Sequence, residues 1–351
     1  MSQQLGTLDE LPPAYLDRLT AHNAQPLWPS MRNVLPYGRP DRRTRPHIWR
    51  YRALRPLLLE AGDLTPIEKA ERRVLMLANP GLAPQPFATA TIFFGLQLIL
   101  PGESAPTHRH SPSAVRLIVE GDGGFTTVEG QRCPMEKGDV ILTPSGLWHE
   151  HEHRGSGPMV WLDALDLPLV GRIEASYCIE GGAQTAANRP DASQTRFRRS
   201  GLVPYEALGR TPRDYPLMRF PWADVRDALQ AMAADAGRDE AVQLAYVNPE
   251  TGRECMPILG FSAIMLRPGE ERAPPRRSAS CGFLAVGGAG QAEIDGATLD
   301  WEDDDVFVGP THATIRLRNA SSRAPAFLIQ VDDAPMQRKL GFYEEFADGA
   351  G

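Results

Sequence analysis

Pro101-Gly102-Glu103 returns later in the chain as Pro268-Gly269-Glu270, Gly121-x-Gly123 returns as Gly288-x-Gly290, and Asp139-Val140 with Pro144 returns as Asp305-Val306 with Pro310. The copies lie about 167 residues apart, with one gap, so two copies of one unit make up most of the chain. Each copy is a set of short apolar runs broken by glycine turns. In the first, 90–100, 114–120, 125–128, 140–143 and 159–165 read as strands, with turns at Gly121-Asp122-Gly123-Gly124 and Glu136-Lys137-Gly138-Asp139. The second copy spans about 239–333. A duplicated, turn-punctuated strand unit predicts a mainly β protein, and 32 prolines with 32 glycines suit it.

The segments outside the copies read differently. Residues 1–84 are helical and irregular: Leu11-Pro12-Pro13 leads into a short amphipathic stretch with Leu16 and Leu19 on one face. Residues 26–50, rich in proline, tryptophan and arginine, are expected to wrap the outside of the body. Thr65-Pro66-Ile67-Glu68 has the form of a capping box with proline at the first helical position, which predicts a helix over 65–78 ending before Asn79-Pro80. Residues 171–215 read as a polar linker, and a helix is expected over 222–234.

Composition narrows the class. The chain has 351 residues, 42% apolar and 23% charged, enough for about two domains with a sizeable core. A net charge of -7 with interspersed signs argues against nucleic acid, and no apolar run approaches the ~18 residues of a membrane span. Arg42-Arg43 and Arg276-Arg277 read as solvated surface. Met1-Ser2-Gln3-Gln4 shows no leader pattern, and Cys133, Cys178, Cys255 and Cys281 form no CxxC pair. Reduced thiols in a cytoplasmic protein are the expectation.

Chemistry concentrates in the first copy. Five of the eight histidines lie there: His108-Arg109-His110, then His149, His151 and His153. In His108-x-His110 the side chains share one face of a strand, the geometry of two cis ligands on one ion. His149 offers a third imidazole from a strand folded back alongside. Three neutral imidazoles suit iron, zinc, copper or nickel alike. The second copy has Pro275, Arg277 and Ile315 at the matching positions and reads as structural; His312 nearby is not expected to bind metal. On alternation alone, His151 joins the face of His149, Arg116 that of His110, and His153 falls past the strand as a surface histidine. Asp163 faces away from Val160, Leu162 and Ala164. Arg72 falls on the expected helix, within reach of Glu68.

Gly102-x5-His108-x-His110 with Gly121, and Gly138-x5-Pro144-x-Gly146-x2-His149, resemble the two motifs of the cupin superfamily. Two departures matter. Ala114 stands where many cupins have a metal-binding glutamate, which leaves positions on an octahedral ion open to substrate, and His153 stands where many have an asparagine. Gly95-Leu96-Gln97-Leu98-Ile99-Leu100-Pro101-Gly102-Glu103, Val119-Glu120-Gly121 and Trp161-Leu162-Asp163 further resemble the gentisate 1,2-dioxygenases and their relatives acting on salicylate and 1-hydroxy-2-naphthoate.

The resemblance covers most of the chain and implies a bicupin, two tandem jelly-roll barrels with a helical arm. The divisions expected are an arm at 1–84, a metal-bearing cupin at 85–170, a linker and helix at 171–238, a degenerate cupin at 239–335 and a tail at 336–351. It implies one Fe(II) per chain on His108, His110 and His149, no organic cofactor, and a homotetramer. A 2-hydroxybenzoate would chelate through carboxylate and phenol oxygens and be cleaved between C1 and C2 with O2. Gentisate, salicylate and 5-substituted salicylates such as 5-nitrosalicylate are candidates. Arg116, Gln97 and Arg72 would hold the substrate, His151 and Asp163 would serve catalysis, and Phe93, Gly95 and Trp148 would shape the pocket. Ser111-Pro112 and Gly146-Leu147 depart from the gentisate pattern, as do Phe93 and Gly95, and methyl-sized pocket changes shift selectivity about 10- to 200-fold. Two other classes fit the ligand set: a non-catalytic bicupin that binds a small aromatic acid, and a zinc cupin hydrolase or isomerase. The complete histidine set beside Arg116 and His151 favours the dioxygenase.

Overall fold

The computed structural model describes residues 5–346. The first four residues, read above for a leader, and the last five of the 336–351 tail lie outside the described residues. The chain forms two compact units that divide after Arg43. In the first, the helix Pro13–Ala21 begins on proline and half-buries Leu16 and Leu19 as its spacing predicts, and the Arg32 guanidinium lies 3.2 Å from the Tyr37 ring centre.

The second unit begins with strand β1 (His47–Trp49), the helix Tyr51–Leu64 and strand β2 (Arg73–Met76). This corrects the helix expected over 65–78. Thr65 and Pro66 end one helix, a single turn follows at Ile67–Ala70, and Glu71 then turns the chain at φ +58°. The local cap signal loses to a non-local one. Residues 73–76 satisfy their backbone groups by pairing with β3 (Phe93–Ile99), in register Val74 with Gln97 and Met76 with Gly95. The segment 26–50 is not wholly a wrap either, because β1 joins a sheet of the second copy.

The first copy supplies β4 (Ser104–His110), β5 (Ala114–Glu120), β6 (Gly124–Val128), β7 (Gln131–Met135), β8 (Val140–Thr143), β9 (His149–His153) and β10 (Met159–Leu165). The linker expected over 171–215 adds a strand, β11 (Cys178–Glu180), which pairs with β4, and just beyond it β12 (Arg219–Phe220) pairs with β8. The result is two facing sheets, ordered β12-β8-β5-β10-β3-β2 and β11-β4-β9-β6-β7. The helix Trp222–Asp235 follows as expected.

The second copy repeats the design. Its strands are β13 (Val242–Ala245), β14 (Gly260–Leu266), β15 (Glu271–Arg272), β16 (Arg276–Arg277), β17 (Cys281–Gly287), β18 (Gly290–Ile294), β19 (Ala297–Trp301), β20 (Val306–Gly309), β21 (Ile315–Asn319) and β22 (Ala326–Asp332), with β23 (Glu345–Phe346) beyond. Its sheets run β1-β20-β17-β22-β14-β13 and β15-β21-β18-β19, and β16 pairs with β23. Arg276-Arg277 is therefore a paired strand rather than free surface, and Arg277 is only partly exposed.

The two interiors differ. The second is packed with Phe283, Phe307 and Trp301, the first two stacked at 4.8 Å, together with Leu266, Leu328 and Ile294. The first holds a lining of buried polar groups.

Candidate metal centre

β9 alternates strictly, with His149, His151 and His153 inward and Glu150 and Glu152 outward. β4 pairs with it so that His108 stands opposite His149. One ligand atom from each of His108, His110 and His149 lies within 4.8 Å of the others, and among the described residues no cysteine or carboxylate joins that group. Ala114, at the position where many cupins have a glutamate, pairs with Thr143 and Leu165 and offers no ligand atom.

Each imidazole is oriented by a carbonyl two residues away. Nδ1 of His108 lies 2.8 Å from Pro106 O, Nδ1 of His110 lies 2.6 Å from Pro112 O, and Nδ1 of His149 lies 3.0 Å from Leu147 O. A carbonyl only accepts, so each Nδ1 carries the proton and each Nε2 keeps its lone pair. This is how ligating histidines are usually held. His149 Nε2 is buried with no hydrogen-bond partner among the described residues. Burial first, then the Arg72 charge, pushes His108 down to about 3. Burial likewise takes His110 to about 4 and His149 well below its usual value. Neutral, convergent imidazoles with an orphaned lone pair fit a transition-metal dication.

The opposite sheet supplies the rest. Arg116 does not continue the His110 strand, as its spacing suggested. The turn at 111–113 sends it into the facing sheet, where it looks across the barrel at the histidines. It is fully buried, and its Nη2 donates to His151 Nε2 at 2.8 Å while Nη1 bonds Thr143 Oγ1. Asp163 stands beside it in register, 3.6 Å from Nε, too far for a hydrogen bond. Burial lowers Arg116 to about 10 and raises Asp163, while their mutual attraction opposes both shifts. Nδ1 of His151 faces Thr126 Oγ1 at 3.0 Å.

Phe93, Gly95 and Gln97 lie on the inner face of β3, opposite Leu165, Asp163 and Trp161. A methyl group added at Gly95 would come 2.6 Å from Val74 and 2.9 Å from the Phe93 ring, so this stretch of wall has no spare room. Arg72 leaves the expected helix entirely. It follows the turn at Glu71, pairs with that residue at 2.9 Å rather than with Glu68, and lies near Cys178 Sγ. Its charge is felt at His108, His110, His151 and Asp163.

Two residues fall elsewhere than expected. Trp148 lies on the outer face, where the Arg109 guanidinium covers it at 4.9 Å; Arg109 alternates away from the ligand histidines, and Trp148 goes with it. A side chain at Gly181 would collide with the same ring. His153 is not a surface residue but is 2% exposed, its Nε2 bonded to Gly157 O and its Nδ1 accepting from Gly155 N. It closes a turn, as Asn319 does in the second barrel by donating to Leu266, Arg267 and Ala324 carbonyls. Sequence reasoning missed Thr126 and Thr143, since nothing in a lone threonine says which strand will face it.

A cupin domain model matches residues 95–165. The chain is 50% identical to a gentisate 1,2-dioxygenase from a Ralstonia species, over 98% of this chain and 97% of that one. The chain belongs to the gentisate 1,2-dioxygenase family. A second member, a 5-aminosalicylate 1,2-dioxygenase from a Comamonas species, is 37% identical over 87% of this chain and 82% of that one. In three dimensions the fold matches salicylate 1,2-dioxygenase of Pseudoaminobacter salicylatoxidans in its adducts with gentisate. The TM-score is 0.89 at 29% identity, covering 99% of this chain and 96% of that one. The family is one of bicupin, ring-cleaving dioxygenases, which is the architecture of the two barrels here.

Proposed function

We propose that this protein is an Fe(II)-dependent dioxygenase that opens the ring of a 2-hydroxybenzoate between C1 and C2 with O2. Gentisate, converted to maleylpyruvate, is the first candidate, and salicylate and 5-substituted salicylates follow. The observation that carries this reading is the three-histidine cluster, joined by no carboxylate among the described residues and facing a buried arginine across the barrel. An ion held by three side chains keeps positions open for substrate and O2. Fe(II) bound there would supply Lewis acidity toward the substrate oxygens and one-electron chemistry for O2.

The protein's own residues then have defined tasks. Arg116 binds the substrate carboxylate through its fork, and Arg72 adds a second positive charge from the rim. Asp163 keeps Arg116 aligned. His151, neutral and protonated on Nδ1, takes or returns a substrate proton at Nε2 once Arg116 has turned to the carboxylate. Phe93 and Gly95 shape a slot for the flat ring, and Gln97 orients a bound oxygen. The barrel divisions at 85–170 and 239–335, one iron per chain, cytoplasmic action and a homotetramer belong to the same reading. No described helix is long and apolar enough to cross a membrane.

The test is anaerobic reconstitution of the apoprotein with Fe(II) or Zn(II), followed by O2 uptake with gentisate, salicylate and 5-substituted salicylates. The Fe(II) form should consume O2 with at least one of them and the Zn(II) form with none. An Fe(II) protein inert toward every hydroxybenzoate would sink the reading.

A further inference from the structure

The second barrel keeps the frame of the first, and the repeat can be followed bond by bond. Ser113 N donates to Asp166 and Ser280 N to Asp333; Arg116 pairs with Asp163, and Phe283 with Gln330. On that correspondence Arg277 takes the place of His110, Leu317 that of His151, and Ile264 that of Gln97. Phe283 and Phe307 fill the base of this barrel. Its mouth is open, however, and forms a cavity of about 350 Å³, lined among others by Ile264, Leu317, Gln330, Arg272 and Arg277. That volume is in the range of small-molecule sites.

The polar groups of this cavity are incompletely matched. Arg272 gives Nη1 to Asp239 O at 2.8 Å and sets Nε 2.9 Å from Glu270, yet its Nη2 is buried with no acceptor among the described residues. Arg277 lies 3.5 Å from Asp332, an oxygen already held by Gln330 Nε2 at 2.8 Å, and its other side-chain partner is the Tyr343 hydroxyl. Asp239 and Glu345 also line the cavity, but both side chains are exposed, where water screens them. A buried guanidinium N–H without an acceptor, beside a second guanidinium and above apolar Ile264 and Leu317, matches an anion with an apolar body.

We infer that the mouth of the second barrel binds a small organic carboxylate with an apolar body, at a site separate from the metal centre and needing no metal. Arg272 Nη2 and Arg277 receive the carboxylate, and Ile264 and Leu317 take the body. The inference stands whether or not the metal centre acts on gentisate.

Benzoate is the probe, titrated calorimetrically into the metal-loaded enzyme without O2. The wild type should bind two benzoates per chain, one of which Arg116→Ala removes. Arg272→Met and Leu317→Trp should each weaken the other at least tenfold, with kcat and KM of the ring-cleaving reaction within about twofold of wild type. The inference is overturned if the wild type binds no benzoate beyond the one lost in Arg116→Ala. It is overturned equally if both pocket variants still bind two with unchanged affinity.

Discussion

Arg116 donates from Nη2 to Nε2 of His151 at 2.8 Å, so the imidazole proton must sit on Nδ1, where it faces Thr126 Oγ1 at 3.0 Å. A guanidinium has no acceptor, and this one bond settles the tautomer of the histidine. A fully buried threonine, otherwise directed at Met135 Sδ, thus becomes part of the site. Thr126→Val keeps the shape and removes the acceptor. The expected result is a kcat about tenfold lower with KM little changed, and a stability loss of about 1–3 kcal/mol for the stranded N–H. Thr126→Ser should restore both. Steady-state kinetics with urea unfolding checks this, and a valine variant with wild-type kcat would remove Thr126 from the site.

Arg116 is the only guanidinium buried inside the first barrel opposite the histidines among the described residues. Arg116→Lys keeps a charge but loses the fork. Its KM for the aromatic acid should rise about 100-fold, near 2.7 kcal/mol, with a smaller change in kcat. Arg116→Ala should be worse and less stable, since it leaves Asp163 buried without a cation. An unchanged KM in the lysine variant would retire the carboxylate role.

The ligand assignment is tested apart from turnover. His108→Ala and His149→Ala should each abolish both bound iron, measured by elemental analysis, and O2 uptake. His153→Asn should retain the iron, because the His153 imidazole bonds the turn at 155–157 rather than facing the three-histidine cluster. A ligand variant that kept a full equivalent of iron would refute the cluster.

Gly95 meets the Phe93 ring and Val74 too closely to accept a methyl without movement. Gly95→Ala should cost about 1–3 kcal/mol in stability and push the Phe93 ring into the slot. Selectivity among gentisate, salicylate and 5-substituted salicylates should then shift by about tenfold or more. Equal kcat/KM ratios in wild type and variant would place the substrate elsewhere.

Away from the metal centre, burial raises Asp333 from 3.8 to about 6, although Thr91 and Ser280 donate to its carboxylate. Its folded pKa lies above its unfolded value, so its contribution is fully present below about 4 and is lost as pH rises through 6. Asp333→Asn removes that titration. The variant should therefore compare less favourably with wild type at pH 5 than at pH 8, by about 1 kcal/mol. A difference in urea midpoint that does not change with pH would contradict the raised carboxyl.

How much of this was legible depends on the range of the information. Strands Ala114–Glu120, Val140–Thr143 and Met159–Leu165 have the bounds expected from alternation and glycine turns, and the helix from Trp222 starts where expected. Those signals are local. The motif spacings pointed to the histidine triad and the repeat to a second barrel without ligands, since both are encoded by residue type at fixed separation. Where a strand's partner matters, one dimension was not enough. Spacing put Arg116 on the strand of His110, but the turn at 111–113 places it across the barrel. A capping box predicted a helix where β3 needed an edge partner. Trp148 turned outward with Arg109, His153 turned inward to hold a loop, and Arg72 reached the centre's field from beyond a left-handed residue. The sequence by itself determined which side chains share a face and what chemistry they carry. Which faces meet was decided only by the tertiary structure, because register and sheet pairing are set by hydrogen bonds between residues far apart in the chain.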